Sequence, residues 1–316
     1  MRLSEQAAQN ERTLFTFLSD PDSPLASFIR KNQGQYQLAP VPMVYDYFHA
    51  TIRENSYDKE LRSSIIYVDS VIPTLDADAG DLIKSIMLFS MVADNCLMST
   101  KQTLLVALQW DEKHFNRTLQ QLEQAHHIYI RRSDGVICLM RSTAENIRYD
   151  IEHETAKRKR IDIADQMTEL HDPGYTVPRR YNDKHEIVRF FQNVFVSADN
   201  FGKQKNSGFL IKKGVADGYV IHLLGSMAAE DVQSVLRKWN DPKVIVLLPT
   251  IEFIGQTAIE ECAAIKSLLE HPTDEIAAEE LSYYFEDTLQ MVNQSYSKLF
   301  GKGALLVTMD GVSNCT

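Results

Sequence analysis

The sequence lacks the motifs that mark common metal, thiol and nucleotide chemistry. Its 316 residues include only four cysteines and no Cys-x-x-Cys pair, which excludes a zinc ribbon and a thioredoxin-type site. It has no G-x-x-x-x-G-K-[ST] phosphate loop, no H-E-x-x-H motif and no G-x-S-x-G elbow. We therefore expect no complete active site, no bound metal and no cofactor held by this chain alone.

Long apolar runs are also missing. The longest apolar stretches, such as 244–249, are too short to cross a bilayer, so no membrane partner is expected. The first 30 residues contain no seven-residue apolar core, which excludes a secretory signal, and the scattered cysteines are typical of reduced thiols. These features together predict a cytoplasmic protein.

The charge has the wrong sign for a protein that binds nucleic acid over its whole surface. Lys and Arg number 33 against 43 Asp and Glu, a net charge of −10. Residues 250–300 contribute −8 of this, with ten acids against two lysines. We interpret this excess as the solvated faces of two helices, with a surface for a basic partner as the alternative. Contact with nucleic acid, if it occurs, must be local.

Hydrophobic periodicity predicts an α+β multidomain protein that begins with a helical subdomain. Residues 1–76 contain helical patterns at 4–19, 23–31, 41–55 and 58–75. Residues 77–141 then show three short helical patterns followed by two β-rich runs around Asp134-Gly135, a strong tight-turn signal. This order is typical of a winged helix-turn-helix, in which the third helix is the recognition helix.

A linker and an α/β layered domain are predicted for the rest of the chain. A single charged helix at 142–171 is followed by a segment with two prolines and a glycine between 173 and 178, so we assign 142–182 to a charged helix and linker. Residues 183–316 contain apolar strand signals at 186–198, 208–213, 218–224, 243–249 and 303–309, separated by helical patterns at 229–239, 252–269 and 274–300. Continuous apolar strands predict a sheet that is buried on both faces.

The predicted recognition helix and wing supply the candidate nucleic-acid contacts. Between 78 and 141 the acids and bases balance at seven each, so this module is close to neutral. A packing or switching role inside a larger protein competes with DNA binding here, because acids also lie on the third helix. The polar side chains suited to phosphates or base edges are Lys113, Asn116, Arg117, Gln120, Gln121, Arg131 and Arg132.

Other features have simpler explanations. The Gly255 region follows an apolar strand, where a ligand can sit at the strand's carboxyl end, but its single glycine and the nearby acids favour packing. The basic run 157–160 is interpreted as a solvated helix face, with a phosphate contact as the alternative. A hydrolase or transferase site in the α/β region is disfavoured, because no triad or metal set is visible.

Two segments resemble parts of a known family. The opening LSEQAAQNERTLFTFLSD and the segment RRYNDKHEIVRFF resemble motifs of large bacterial ATP-binding proteins of the AAA or signal-transduction ATPase type, many of them found among phage-defence and mobile-element genes. The likeness is sharp only at 10–18 and 179–191. A similar order of lid, winged helix, charged helix and α/β region follows the nucleotide-binding core in that family.

The resemblance implies a non-catalytic carboxy-terminal portion of such an ATPase, which couples nucleotide state to a protein partner or to DNA. The nucleotide-binding core that precedes the lid in the family is missing, so we expect a fragment or a split subunit, with ATP bound only through a core domain supplied elsewhere. Arg12 is the one residue that the resemblance suggests for a lid contact to nucleotide, and an intrahelical pair is the alternative. The alternative function is a winged-helix transcriptional regulator that binds double-stranded DNA.

Overall fold

A computed structural model of the chain describes residues 14–35, 37–55, 59–92, 97–141, 144–211, 216–301 and 303–314. The chain divides into two compact units, Met1–Glu145 and Asn146–Thr316. The predicted candidate Arg12 lies outside the described residues.

The first unit is mainly helical. Its helices are α1 (Leu14–Ser19), α2 (Pro24–Lys31), α3 (Pro42–Asn55), α4 (Lys59–Val71), α5 (Ala77–Met91), α6 (Lys101–Leu108) and α7 (Glu112–Gln124). Several of them begin at a capping residue: side-chain oxygens of Ser23, Thr100 and Asp111 each accept one of the first free backbone N–H groups of α2, α6 and α7. The two helices predicted after residue 41 are present as α3 and α4, with a short 3₁₀ turn at Ile72–Thr74.

A β-hairpin follows α7. Strands β1 (Ile128–Ile130) and β2 (Ile137–Leu139) pair antiparallel around a turn in which Gly135 has a φ of 74°, a conformation that favours glycine. The segment before α6 also joins this hairpin. Ser99 Oγ donates to the Ile137 carbonyl oxygen at 2.6 Å, and the Ile137 N–H donates back to the Ser99 carbonyl oxygen at 2.9 Å.

The core of the first unit lies where α5 meets its neighbours. Leu82, Ile83, Ile86 and Met87 on α5 are fully buried, as the predicted apolar side of this helix requires. They pack with buried residues from α3, α4, α6, α7 and the hairpin, among them Tyr45, Ile65, Leu104, Phe115, Leu122 and Ile137. The helices and the hairpin therefore share one apolar core.

The predicted charged helix at 142–171 is two helices. The helices are α8 (Ala144–Arg158) and α9 (Ile163–Leu170), and Asp162 caps the second by accepting from the Ala164 N–H at 2.8 Å. An N-cap residue has non-helical backbone geometry, so a new helix must begin there. The prediction of one continuous helix is wrong for this reason.

The second unit contains a mixed sheet of six strands. In chain order its elements are β3 (Tyr175–Thr176), α10 (Arg179–His185), β4 (Phe191–Ser197), α11 (Ala198–Lys203), α12 (Gly208–Ile211), β5 (Gly218–Leu224), α13 (Ala229–Trp239), β6 (Val244–Leu248), α14 (Gln256–Leu269), α15 (Glu275–Phe300), β7 (Leu305–Val307) and β8 (Val312–Asn314). The strands neighbour one another in chain order, β4, β5 and β6 are parallel, and the other pairs are antiparallel.

Helices cover both faces of this sheet. One face packs on residues of α11, α12 and α13, including Phe201, Leu210 and Trp239. The other face packs on residues of α9, α14 and α15, including Met167, Ile259 and Val292. All seven residues of β5 are buried, which confirms the predicted α/β layer.

One detail of the second unit differs from the predictions. The run at 208–213 is predicted as a strand, but Gly208–Ile211 is helical, and its Leu210 is fully buried in the same cluster as Trp239. A short apolar run has no period that separates helix from strand.

The second compact unit also includes α9 and β3, because β3 pairs with β4 and α9 packs on the same sheet.

Candidate functional site

The predicted contact residues of α7 lie on one exposed face. Phe115, Thr118 and Leu122 are buried on the core side of the helix. The exposed side presents the five predicted polar residues Lys113, Asn116, Arg117, Gln120 and Gln121. The three-to-four-residue spacing of this set places them together along the helix, as a surface for binding requires.

Part of this face is already engaged by its own unit. Arg117 Nη2 lies 3.1 Å from His114 Nδ1, and Gln121 Nε2 donates to Asp76 Oδ2 at 3.2 Å. The pKa of Asp76 is lowered, first by the N–H of Ala79 and to a smaller extent by Gln121 and Arg117. Lys113, Asn116 and Gln120 make no side-chain hydrogen bond or ion pair with the described residues, so their polar groups remain available to a partner.

Acidic side chains surround the face. Glu112 pairs with Lys101 at 2.5 Å, and Asp78 lies 3.2 Å from His114 Nε2. The N-cap carboxylate of Asp111 accepts from the His114 N–H, which lowers the pKa of Asp111 and keeps it charged. Negative charge at this end of α7 weakens the attraction of a phosphate backbone.

The two arginines of the hairpin differ. Arg131 is half-buried and pairs with Asp134 at 3.3 Å inside the turn. Asp134 Oδ1 also accepts from the Val136 N–H at 3.1 Å, which fixes the turn. Arg132 is exposed. The Arg131 charge is therefore balanced within the hairpin, whereas the Arg132 side chain lies at the surface.

A polar cleft of about 300 Å³ lies in the second unit at the carboxyl ends of β4 and β5. Ligands of open α/β sheets bind in this position, because loops and helix starts converge there. The lining comes from the ends of α8 and β4, the loop after β5 and the start of α14. Its polar side chains are those of Lys159, Asp162, Ser197, Asp199, Ser226, Gln256 and Glu260.

Asp162 connects several of the segments that line the cleft. Its Oδ2 accepts from Ser197 Oγ at 2.6 Å and from Asn200 Nδ2 at 2.7 Å, while Oδ1 caps α9. These bonds tie the start of α9 to the end of β4. Because both carboxylate oxygens are engaged, Asp162 shapes the cleft and has little capacity left for a ligand.

Glu260, on α14, also lines the cleft. It is 6% exposed, and its Oε1 accepts from Gln256 Nε2 at 2.9 Å. The residues that line the cleft include one lysine, Lys159, and three carboxylates, those of Asp162, Asp199 and Glu260. This balance disfavours a polyphosphate ligand, since like charges repel strongly in a partly buried site.

The sequence predictions found little of this cleft. Two sequence signals, the Gly255 region and the basic run 157–160, lie at the cleft, but for each the sequence favours a simpler explanation. The structure places Gly255 at the N-cap of α14, beside Gln256. In the basic run 157–160, Lys157 pairs with Glu154 at 2.9 Å and Arg158 with Glu169 at 2.7 Å, whereas Lys159 lines the cleft. The acid-rich segment 250–300 is not uniformly solvated either, because Glu260, Glu280 and Asp287 are buried.

Metal binding and membrane insertion find no support in the part of the chain that the structure describes. Its His, Cys, Asp and Glu side chains form no group of three or more that could hold a metal ion. Within the same residues, no helix has both the length and the apolar character needed to span a bilayer.

Comparisons with known proteins found no match. No family model fits the chain, and neither the curated proteins nor the solved structures gave a similar protein.

Proposed function

We propose that this chain is a non-catalytic, carboxy-terminal part of a bacterial ATPase that couples nucleotide state to a protein or DNA partner, in the phage-defence setting that the resemblance implies. The observation that carries the proposal is the exposed polar face of α7, which stands on a rigid apolar core and has no catalytic constellation beside it among the described residues. Such a face is suited to contact and not to chemistry.

We infer that residues 77–141 act as a winged helix-turn-helix. The order α5, α6, α7 and hairpin supports this, and so does the reciprocal Ser99–Ile137 bonding that adds a third β-segment beside β1 and β2. In this arrangement the third helix is the recognition element and the hairpin is the wing. The five exposed residues of α7 and Arg132 are then the contact surface.

In this proposal, ATP binds to a core domain and not to the second unit. The three carboxylates of the cleft and the absence of a phosphate loop support this assignment. A lid that moves with nucleotide state transmits the change to the attached winged helix as a rigid-body displacement. The cytoplasm, where ATP is abundant, is the proposed location.

Calorimetric titration of the chain with ATP and Mg²⁺ tests the proposal. We expect no heat of binding at micromolar ATP and no phosphate release. Micromolar affinity together with turnover would show that the chain carries its own nucleotide site, and the proposal would then be wrong.

A DNA-binding transcriptional regulator is the second candidate. The free polar groups of Lys113, Asn116 and Gln120 favour it, because lysine contacts phosphates while amides read base edges. Duplex affinity is measured across a salt series with the wild type, Lys113→Glu and a matched control, Lys238→Glu, at an exposed position of α13. We expect Lys113→Glu alone to weaken binding and to reduce the salt slope by about 1. No duplex binding at about 50 mM salt, or a slope near zero, excludes this function.

A further inference from the structure

The segment around α10 concentrates positive charge on the surface of an acidic protein. Residues 175–190 contain four basic side chains against two acids, Asp183 and Glu186, in a chain whose net charge is −10. All four are exposed, and none forms a side-chain hydrogen bond or ion pair with the described residues. They are Arg179, Arg180, Lys184 and Arg189. By contrast, Lys84, Lys101 and Arg158 elsewhere in the chain are paired with carboxylates.

Local bonds hold these cations in one place. The buried Asn182 donates from Nδ2 to the Arg189 carbonyl oxygen at 2.8 Å, and the Ile187 N–H donates to the Asn182 carbonyl oxygen at 3.1 Å. Glu186 adopts a φ of 53° and ends the helix in a left-handed turn. The chain after α10 thus folds back, so Arg189 lies beside the helix and not far along an extended strand.

The outward face of α10 combines cations with rings. Arg180, Tyr181, Lys184 and His185 follow one another at spacings of one and three residues, which puts them on one side of the helix, opposite Asn182. The Tyr181 and His185 rings contact each other, with centroids 4.4 Å apart and planes inclined by 41°. Tyr181 is 50% exposed, so an apolar ring surface remains open to solvent on the same side of the helix as Arg180 and Lys184.

We propose that the outward face of α10, formed by Arg180, Tyr181, Lys184 and His185, binds single-stranded nucleic acid. The cations meet backbone phosphates, and the open Tyr181 ring stacks on an unpaired base, which is how sequence-tolerant single-strand binders work. A duplex is a poorer ligand, because its bases are already stacked. The surface belongs to the second unit, and the proposal does not depend on the function proposed for the first unit.

Fluorescence anisotropy with a labelled 20-nucleotide oligo-dT and its RNA counterpart, at about 50 and 200 mM salt, tests the proposal on the full chain. We expect the wild type to bind both strands more tightly than a 20-base-pair duplex. The salt slope should be about −1.4 if only Arg180 and Lys184 neutralise phosphates and about −3 if Arg179 and Arg189 also do so, because roughly 0.7 counterion is released per phosphate neutralised on a single strand.

Two variants distinguish the contribution of the positive charges to binding from that of the Tyr181 ring. Arg180→Glu/Lys184→Glu should weaken oligo-dT binding at least about tenfold and flatten the salt slope. Tyr181→Ala should weaken binding about 5- to 100-fold and leave the salt slope unchanged, because it removes stacking and no charge. The matched control is Lys205→Glu/Lys238→Glu, which makes the same charge change at exposed positions of the same unit and should alter affinity less than about threefold.

Three results would overturn the proposal. The first is that the wild type does not bind oligo-dT at about 50 mM salt. The second is that Arg180→Glu/Lys184→Glu and the control lose oligo-dT affinity equally. The third is that Tyr181→Ala binds oligo-dT with the affinity of the wild type. The last of these would mean a purely electrostatic surface, suited to an acidic protein, and polyglutamate would then compete as well as oligo-dT. Lys113→Glu should leave oligo-dT binding unchanged, which distinguishes this surface from α7. All the substituted side chains are exposed, and matching circular dichroism spectra confirm that each variant is folded.

Discussion

His222 has an unusual environment for an ionisable side chain. It lies on β5, is 5% exposed and stacks on Tyr296, whose hydroxyl is 3.1 Å from His222 Nδ1. Its Nε2 is buried and has no hydrogen-bond partner among the described residues. Burial, and to a smaller extent the neighbouring His171, lower the pKa of His222 to about 4. The fold therefore holds this imidazole neutral.

Acid should destabilise the second unit through His222. Because the folded pKa is below the ordinary value of 6.5, the unfolded chain binds the proton first. The stability that the neutral ring contributes is complete above pH 6.5 and is lost as the pH falls towards 4, by roughly 3 kcal/mol in all. Urea unfolding of wild type and His222→Phe at pH 7 and pH 4.5 measures this. We expect a smaller loss in the variant, and the exposed control His271→Phe should behave as wild type. Equal losses in all three proteins would contradict the assignment.

The Cys262 thiol should be chemically silent in the folded protein. It is fully buried in the core that α14 shares with the sheet, and burial raises the pKa of Cys262 to about 11, against a smaller opposing effect of Thr288. The thiolate is the reactive form. Mass spectrometry after iodoacetamide treatment at pH 8 should find Cys262 alkylated only in denaturant, while the half-buried Cys138 reacts earlier. Rapid alkylation of Cys262 in the native protein would show that the core opens readily.

At the scale of elements, Gly218 sets the spacing between adjacent strands. A Cβ atom at this position would lie 2.5 Å from the Lys243 carbonyl oxygen and 2.6 Å from the Phe191 ring. The first strand residue of β5 therefore has no room for a side chain, because both neighbours belong to the sheet or its margin. The absence of a side chain here is what allows the parallel strands to approach.

Gly218→Ala should therefore destabilise the second unit by about 1 to 3 kcal/mol, the usual range for an overpacked site. Gly202→Ala on α11 is the control, because a Cβ there would meet only the Met227 methyl carbon at 3.6 Å. In a helix, alanine is intrinsically favoured over glycine, so this variant should be unchanged or more stable by up to about 1 kcal/mol. Urea unfolding followed by circular dichroism compares the two, and equal effects would argue against the close packing at β5.

Most elements could be predicted because their signals are local. Ser23 and Asp274 cap the helices that the sequence predicts to begin at these positions. The failures lie where the local signal is ambiguous or where a distant partner acts. Asp162 caps the start of α9, which divides the predicted charged helix, and it also bonds to Ser197 and Asn200, which are more than thirty residues away. Gly208–Ile211 is helical where its apolar run was predicted as a strand.

At the scale of the whole molecule, two sets of cores stabilise the chain. Among the described residues, an apolar core of the first unit draws its buried residues from Tyr45 to Ile137, whereas two clusters on the sheet of the second unit use residues from Ala164 to Val307. These three clusters have no buried member in common. Local opening should therefore be governed by separate sets of contacts in each unit.

A cavity in the core of one unit should raise hydrogen exchange in that unit and not in the other. Leu82→Ala, at a fully buried position of α5, should cost about 2 to 5 kcal/mol and raise hydrogen exchange in the first unit. Val246→Ala, equally buried on β6, should raise exchange in the second unit. Hydrogen-exchange mass spectrometry under native conditions distinguishes the two patterns. A similar rise throughout the chain in both variants would mean that the units open together.

The sequence predicts the exposed face of α7 but not the cleft, and the reason is physical. The exposed face of α7 could be predicted because its five residues lie within nine positions of one helix, where spacing alone places them together. The cleft could not, since Lys159, Ser197, Ser226 and Glu260 come from four separate stretches of chain. The ion pair of Arg131 with Asp134 also escaped prediction, because side-chain pairing depends on the turn geometry.

The sequence by itself determined where most of the helices and strands form, because caps, turns and apolar periods act between residues close along the chain. Only the tertiary structure decided which polar groups are buried, paired or left open. Glu260 and Glu280 are acids in the same acid-rich stretch as Glu252 and Glu286, yet the first two are buried and the last two are exposed. Burial is a property of what packs against a residue: α14 and α15 pack against each other, and α14 also packs against α9, which lies more than eighty residues earlier in the chain.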